Sequence, residues 1–367
     1  MSIRWRDAME RALYGPAGFF VSGAGPAAHF RTSVHASPAF ATALSHLITA
    51  VDAALDHPDR FEVVDVGAGR GELSRSLAAA VGVPGRPPPG STDAVPLARR
   101  VRFTAVELAP RPADLPPEII WTDEIPSGIT GVLLATEWLD NVPLDLAVPV
   151  ADGWRYLLVD PTSGHETIGP QPDPADADWL TTWWPAPADI RSIKKFGAGA
   201  GAESDQNLLI NGAGGRAEIG RTRDEAWARA VGRVDRGLAL AVDYGHLRDG
   251  RPVAGSLTGY RGGRQVPPVP DGSCDVTAHV AMDSVAAAGE RVGRCAYSLV
   301  SQREALRALG IDGGRPPLSL AAADPAGYVR ALAAASAAAE LTDPAGLGGH
   351  WWLLQPVGVA LDPLVAR

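Results

Sequence analysis

The spacing of hydrophobic positions changes near residue 60. Before that point apolar residues recur at helical intervals. A short amphipathic segment runs to Leu13 and is broken by Tyr14-Gly15-Pro16-Ala17-Gly18. Ser37-Pro38 then reads as an N-cap followed by a first-turn proline, and Phe40, Leu44, Leu47, Ile48 and Val51 share one face of the helix that follows. From Phe61 the pattern becomes short unbroken apolar runs. Phe61-Glu62-Val63-Val64-Asp65-Val66 leads through glycines into a helix from 72 to about 81, and further runs occupy 101–106, 119–121, 131–135 and 238–242. Continuous runs predict strands buried on both faces, and strand, glycine turn, helix is the opening unit of a doubly wound α/β sheet. Residues 1–60 are expected to form an N-terminal helical cap. Residues 61–367 are expected to form the α/β domain, with insertions at about 145–235 and 250–280 and a last strand at 351–354. In the first insertion strand pairing is expected around Trp154-Arg155-Tyr156, and it also contains the tryptophans Trp179, Trp183 and Trp184 and a Gly/Ala-rich stretch at 197–201 read as a loop.

Candidate chemistry gathers where these strands end. Asp65-Val66-Gly67-Ala68-Gly69-Arg70-Gly71 follows a buried strand and opens a helix, which presents backbone N–H groups and a helix N-terminus to a ligand. A dinucleotide fold wants its third glycine or alanine two residues further on, for pyrophosphate contact and close helix packing. Here Arg70 and Glu72 flank Gly71, and the compact GxGxG spacing suits a ligand without phosphates, such as S-adenosylmethionine. Three acids end successive strands. Asp65 could meet the cationic amino group of such a ligand, Glu107 could hold both ribose hydroxyls, and Asp123 could accept from the adenine amino group. After the fourth strand comes Thr136-Glu137-Trp138-Leu139-Asp140-Asn141-Val142-Pro143. If this segment turns helically, Glu137 and Asp140 share a face. Paired carboxylates can grip a guanidinium bidentately and assist its proton loss. The plainer reading of the pair is helix-start acids favoured by the macrodipole.

Composition narrows the setting. Forty-two acids against thirty-three bases give a net charge of −9, an acidic surface that disfavours nucleic acid as the main partner. Cys274 and Cys295 are too few for a disulfide framework and have no zinc-ligand spacing, so no metal is expected. No segment reaches the ~20 apolar residues of a membrane span, and the first residues lack the apolar core of a signal peptide. The expected compartment is the cytoplasm.

Several ordered motifs resemble those of the MidA-type methyltransferases, which include a mitochondrial complex I assembly factor that dimethylates an arginine, and bacterial homologues. Leu13-Tyr14-Gly15-Pro16 to Gly18-Phe19-Phe20 resembles LYxPxxGYY. Phe30-Arg31-Thr32-Ser33 resembles the DFxTSP loop, and 64–71 the E-x-G-x-G-R-G motif. Thr136 to Pro143 is similar to NEFxDALP. Asp243-Tyr244-Gly245 matches DYG, Asp275-Val276-Thr277-Ala278-His279-Val280 matches DxTAHV, and Ser301-Gln302 before Leu309-Gly310-Ile311 is similar to SQxxFLxxLGI. Thr136 replaces the family's Asn, and Val34-His35 replaces its Pro-Glu. The resemblance implies a class I (Rossmann-like) methyltransferase that uses S-adenosylmethionine to methylate a protein side chain, arginine first. It implies that Thr32, Asp65, Gly67, Ala68, Gly69, Gly71, Glu107, Asp123 and Glu137 hold the cofactor. Glu137 and Asp140 would orient the acceptor, with Tyr14 and Arg31 closing the site and Asp275, Thr277 and His279 on its wall. Two rivals remain at this stage: a nicotinamide-dependent oxidoreductase, and a non-catalytic assembly factor with a vestigial pocket.

Overall fold

Seven strands, numbered here in chain order, form the larger sheet of a computed structural model that describes residues 1–22, 32–82, 95–184 and 215–361. They are β1 (Phe61–Val66), β2 (Val101–Val106), β3 (Ile120–Thr122), β4 (Ile129–Thr136), β5 (Val234–Asp243), β6 (Ser298–Ser301) and β7 (Trp351–Val357). Their spatial order is β3-β2-β1-β4-β5-β7-β6. The first five neighbours run parallel, whereas β7 lies antiparallel between β5 and β6. The order reverses at β1, so the crevice at the carboxyl ends of β1 and β4 is where a ligand is expected. Register puts Asp65 opposite Ala105 of β2 and Leu134 of β4.

The predicted strands appear because β-branched and leucine-rich runs are buried on both faces: every residue of β5 from Gly237 onward is buried. The helix Pro38–Ala54 forms as its caps dictate, with the Ser37 side chain accepting from the Ala39 N–H at 3.1 Å. Phe40, Leu44, Leu47, Ile48 and Val51 on that helix are fully buried against the sheet core. Its end is fixed by a buried ion pair, Arg100 Nη1 and Nη2 donating to the two Asp52 oxygens at 2.9 and 2.7 Å. Burial pushes the Asp52 pKa up, but Arg100 and His57 outweigh it and hold the carboxyl below its usual value.

By contacts the chain divides into two units: Phe30–Trp138, Arg229–Tyr244 and Gly289–Arg367 carry the seven-stranded sheet, and Met1–His29, Leu139–Ala228 and Gly245–Ala288 form the other. This division differs from the boundary expected at residue 60, because the first residues join the inserted segments. Ile3–Arg4 pairs antiparallel with Leu158–Val159 of the strand Gly153–Val159. That strand forms a hairpin with Asp145–Val150, the pairing expected around Trp154. Trp179 and Trp184 are buried against Ala147, Tyr156, Ala217, Ile219 and Ala281, with Trp183 packed on them, so the tryptophan cluster is a packing core. The second insertion forms a three-stranded sheet from Thr258–Arg261, Arg264–Val266 and Asp275–Thr277. The 197–201 stretch lies outside the described residues. Among the described residues no helix is long and apolar enough to cross a membrane.

Candidate active site

In the sheet unit, β1 delivers the chain into a turn in which Gly67, Gly69 and Gly71 have φ of +71°, +58° and +81°. L residues rarely adopt that conformation. A Cβ on Gly67 would also approach Trp138 Cδ1 to 2.8 Å, and one on Gly71 would approach Leu115 Cδ1 to 2.6 Å. Gly69 is the open one, 3.4 Å from Glu72 Oε2.

The loop's N–H groups are all engaged within the protein, which corrects the expectation that they face a ligand. Gly67 and Ala68 donate to the Val106 carbonyl, and Gly71 donates to that of Ala68. Gly69 donates to Glu107 Oε2 and Arg70 to Glu72 Oε2, each at 2.9 Å. The helix Glu72–Gly82 begins immediately after the loop, and the N–H of its residue Ser74 donates to Asp65. Pyrophosphate binding needs free donors and no competing anions. This loop offers neither, since its N–H groups are engaged and Asp65, Glu72 and Glu107 stand around it.

Those three acids set the electrostatics. Asp65 is 1% exposed, and the Ser74 hydroxyl donates to its Oδ2 at 2.9 Å. Burial, with Glu72 and Glu107 adding to it, pushes its pKa up to about 7. Burial likewise raises Glu107, despite N–H donation from Ala109, Gly69 and Leu108. For Glu72, burial is outweighed by His35 and by the N–H groups of Glu72 and Arg70, so its pKa falls. Two buried acids with raised pKa values, Asp65 and Glu107, and Glu72 with a lowered one make the surroundings of the loop acidic, which favours a cation over an anion. Three N–H donors use three of the roughly four acceptor positions of Glu107, so the reading in which it takes both ribose hydroxyls with a free carboxylate is narrowed. Asp123 stands exposed just after β3, whose Thr122 carbonyl accepts from the Glu107 N–H at 2.9 Å.

Glu137 follows β4 with φ of +51°, a left-handed conformation costing a non-glycine residue about 1–3 kcal/mol. Its N–H donates to the Val242 carbonyl at 2.7 Å, and its Oε1 accepts from the Ser33 N–H at 2.9 Å. Thr32 precedes that residue, and its Oγ1 lies 2.7 Å from His35 Nδ1. The expected shared helical face of Glu137 and Asp140 is not made. Glu137 is left-handed and stands outside the single 3-10 turn Leu139–Asn141 that carries Asp140. Arg31 lies outside the described residues.

The other unit holds a separate polar cluster. Asp140 and Asp275 are each 4% exposed. Thr277 Oγ1 donates to Asp140 Oδ2 at 2.7 Å, and Asn141 Nδ2 donates to Asp275 Oδ1 at 2.7 Å. Burial, then Asp140, drives the Asp275 pKa well up. The Tyr14 hydroxyl, on the helix Trp5–Tyr14, donates to the Asn141 carbonyl at 3.2 Å. Arg223, buried and invisible as a candidate in the sequence, donates to the carbonyls of Asp140, Val142, Ala278 and His279, fixing the turn to the Asp275-to-His279 segment. His279 itself is exposed, and its N–H donates to Ser256 Oγ at 2.8 Å.

A sheet in this order, with an acid-ringed loop that has no free donors for phosphate at its switch point, is that of a class I methyltransferase. Residues 43–299 match the model of a family described as "Putative S-adenosyl-L-methionine-dependent methyltransferase", and the chain belongs to that family. Its cofactor is S-adenosylmethionine. A crystal structure from Burkholderia thailandensis bound to S-adenosyl-homocysteine is similar at 23% identity and TM-score 0.73, over 98% of this chain and 89% of that one. A native structure of an uncharacterized protein from the same organism is similar at 25% identity and TM-score 0.69, over 100% and 90% of the two chains. No curated protein matches the chain.

Proposed function

We propose that this protein is a MidA-type methyltransferase that transfers the methyl group of S-adenosylmethionine to a protein side chain, arginine first, in the cytoplasm. The observation that carries the acceptor assignment is the buried carboxylate pair Asp140 and Asp275, with Asn141, Thr277 and Tyr14 around it. A planar, permanently charged guanidinium is the side chain best matched to two desolvated carboxylates. Its positive charge would oppose the burial and the Asp140 charge that raise the Asp275 pKa.

Thr32, Asp65, Gly67, Ala68, Gly69, Gly71, Glu107, Asp123 and Glu137 would hold the cofactor. The donor set fits it: carboxylates for an ammonium and hydroxyls, and no free N–H cradle for phosphates. When bound, the cofactor supplies an electrophilic methyl group on a sulfonium. What this chain adds is position and charge. Asp65 counters positive charge at the loop, Glu107 fixes the loop while offering a remaining lone pair, and Glu137 acts on the acceptor's protons. The test is transfer of radiolabelled methyl into a cell lysate, with mass spectrometry of the labelled products. Methylarginine in a discrete protein is expected. Label confined to small molecules or to non-protein material would overturn the acceptor assignment.

A further inference from the structure

Beside the glycine loop lies a contact that neither the cofactor set nor the acceptor set explains. His35 sits in the short helix Ser33–Ala36, whose side chain replaces an acid expected from the resemblance. Its Nδ1 is 2.7 Å from Thr32 Oγ1, and its Nε2 is 3.6 Å from Glu72 Oε1. The other oxygen of Glu72 accepts the Arg70 N–H inside the loop. One residue before Val34, the Ser33 N–H is held by Glu137. A single imidazole thus ties the 32–36 segment to the carboxylate that braces the loop, while Glu137 ties the same segment to the end of β4.

We propose that His35 is a positioning residue for cofactor binding: as an imidazolium it clasps the 32–36 segment to Glu72 and holds the glycine loop in its binding conformation. The proposal rests on the cofactor's being seated on that loop. The charged groups acting on His35 are Glu72, from the helix Glu72–Gly82, and Glu137, after β4. The helices Pro38–Ala54 and Pro325–Leu341 also pack on the segment, and neither adds a charged group to that pair. The contact with Glu72 raises the His35 pKa above its usual value against an opposing effect of burial. The clasp is therefore complete at low pH and is lost as pH rises through the folded-state pKa of His35.

Asp65 works in the opposite direction, because its protonation below about 7 weakens attraction for a cation. Affinity for S-adenosylmethionine is accordingly bell-shaped in pH, with the acid limb from Asp65 and the alkaline limb from His35. The pair is half-buried, 28% and 30% exposed, so the alkaline limb amounts to about fivefold in Kd at most.

The test is calorimetric titration of the full chain with S-adenosylmethionine from pH 6 to 9, for wild type, His35→Gln and His35→Lys. The ligand's own ionisation is common to all three proteins and cancels in their Kd ratios. His35→Gln is expected to bind about fivefold more weakly than wild type at pH 6 and equally at pH 9. His35→Lys, charged throughout, is expected to stay within about twofold of wild type at pH 6 and to exceed it at pH 9. A His35→Gln ratio that does not change with pH, or tighter binding by that variant at pH 6, overturns the proposal. Imidazole NMR of the wild type needs no variant: the His35 titration is expected to move to higher pH with ligand, and an unmoved or lowered pKa also overturns it. Gly69→Asp in the same series separates the two readings. If Gly69→Asp binds like wild type, the loop assignment fails, whatever the pH ratios show; if it loses binding, those ratios judge His35 alone.

Discussion

Replacing Asp65 by Asn tests the electrostatic design of the site in both the free and the bound protein. The carboxyl is 1% exposed, accepts from Ser74 Oγ at 2.9 Å and is flanked by Glu72 and Glu107. Its pKa rises from 3.8 to about 7 on folding, which corresponds to a penalty of about 4 kcal/mol at most when it is ionised. The sign follows from proton counts. Between pH 4 and 7 the folded chain holds this proton and the unfolded chain does not, so stability falls as pH rises through that window. Asn keeps the shape and a carbonyl oxygen for Ser74 but has nothing to ionise. Asp65→Asn should therefore match wild type within about 1 kcal/mol at pH 4 and be more stable by about 2–4 kcal/mol at pH 8. Cofactor binding should move the other way. Removing a charged hydrogen-bond acceptor costs about 1.5–3 kcal/mol, so Kd should rise by about 10- to 100-fold at pH 8. Denaturant unfolding at the two pH values and calorimetry at pH 8 measure both effects. A variant less stable than wild type at pH 8, or one with wild-type affinity, would refute the reasoning.

Other substitutions probe separate links. Gly69→Asp forces a side chain onto a φ of +58° and places a carboxylate beside Glu72, so binding should become undetectable by calorimetry while circular dichroism stays native; wild-type affinity would move the site elsewhere. Glu137→Gln retains an oxygen for the Ser33 N–H, so cofactor Kd should change by less than about threefold while transfer slows by about 100-fold in a single-turnover assay. Unaltered turnover would remove its role. Asp52→Ala strands the Arg100 guanidinium, 6% exposed, and should cost about 3–5 kcal/mol in denaturant unfolding with cofactor affinity preserved. A loss under about 1 kcal/mol would show that Arg100 finds another partner or water.

The strands were legible because burial on both faces leaves an unbroken apolar run. Phe61–Val66 and Val101–Val106 fall where the pattern puts them, and Ser37 caps the helix Pro38–Ala54 as its type and position suggest. The glycine loop was legible for a similar reason, since its three positive φ values are compatible with few residues other than glycine. Its donors were misread because their partners, the Val106 carbonyl and the Glu107 and Glu72 carboxylates, reach them only through the tertiary fold or a turn. Glu137 gave no sign of its left-handed conformation, because a glutamate there is held by its surroundings rather than by its own preference. The helical face expected for Glu137 and Asp140 failed for that reason. The antiparallel pairing of Ile3–Arg4 with Leu158–Val159 joins residues far apart in sequence and has no local signature. Arg223 has no local signature, because its four carbonyl partners come from segments far apart in sequence.

The most direct test of the cofactor site is a crystal structure of this protein with S-adenosyl-homocysteine. Density is expected on the Gly67–Gly71 turn, with Glu107 within hydrogen-bond distance of a ribose hydroxyl and Asp65 still accepting from Ser74. Ligand bound away from the carboxyl ends of β1 and β2, or with Glu107 turned from the ribose, would contradict it.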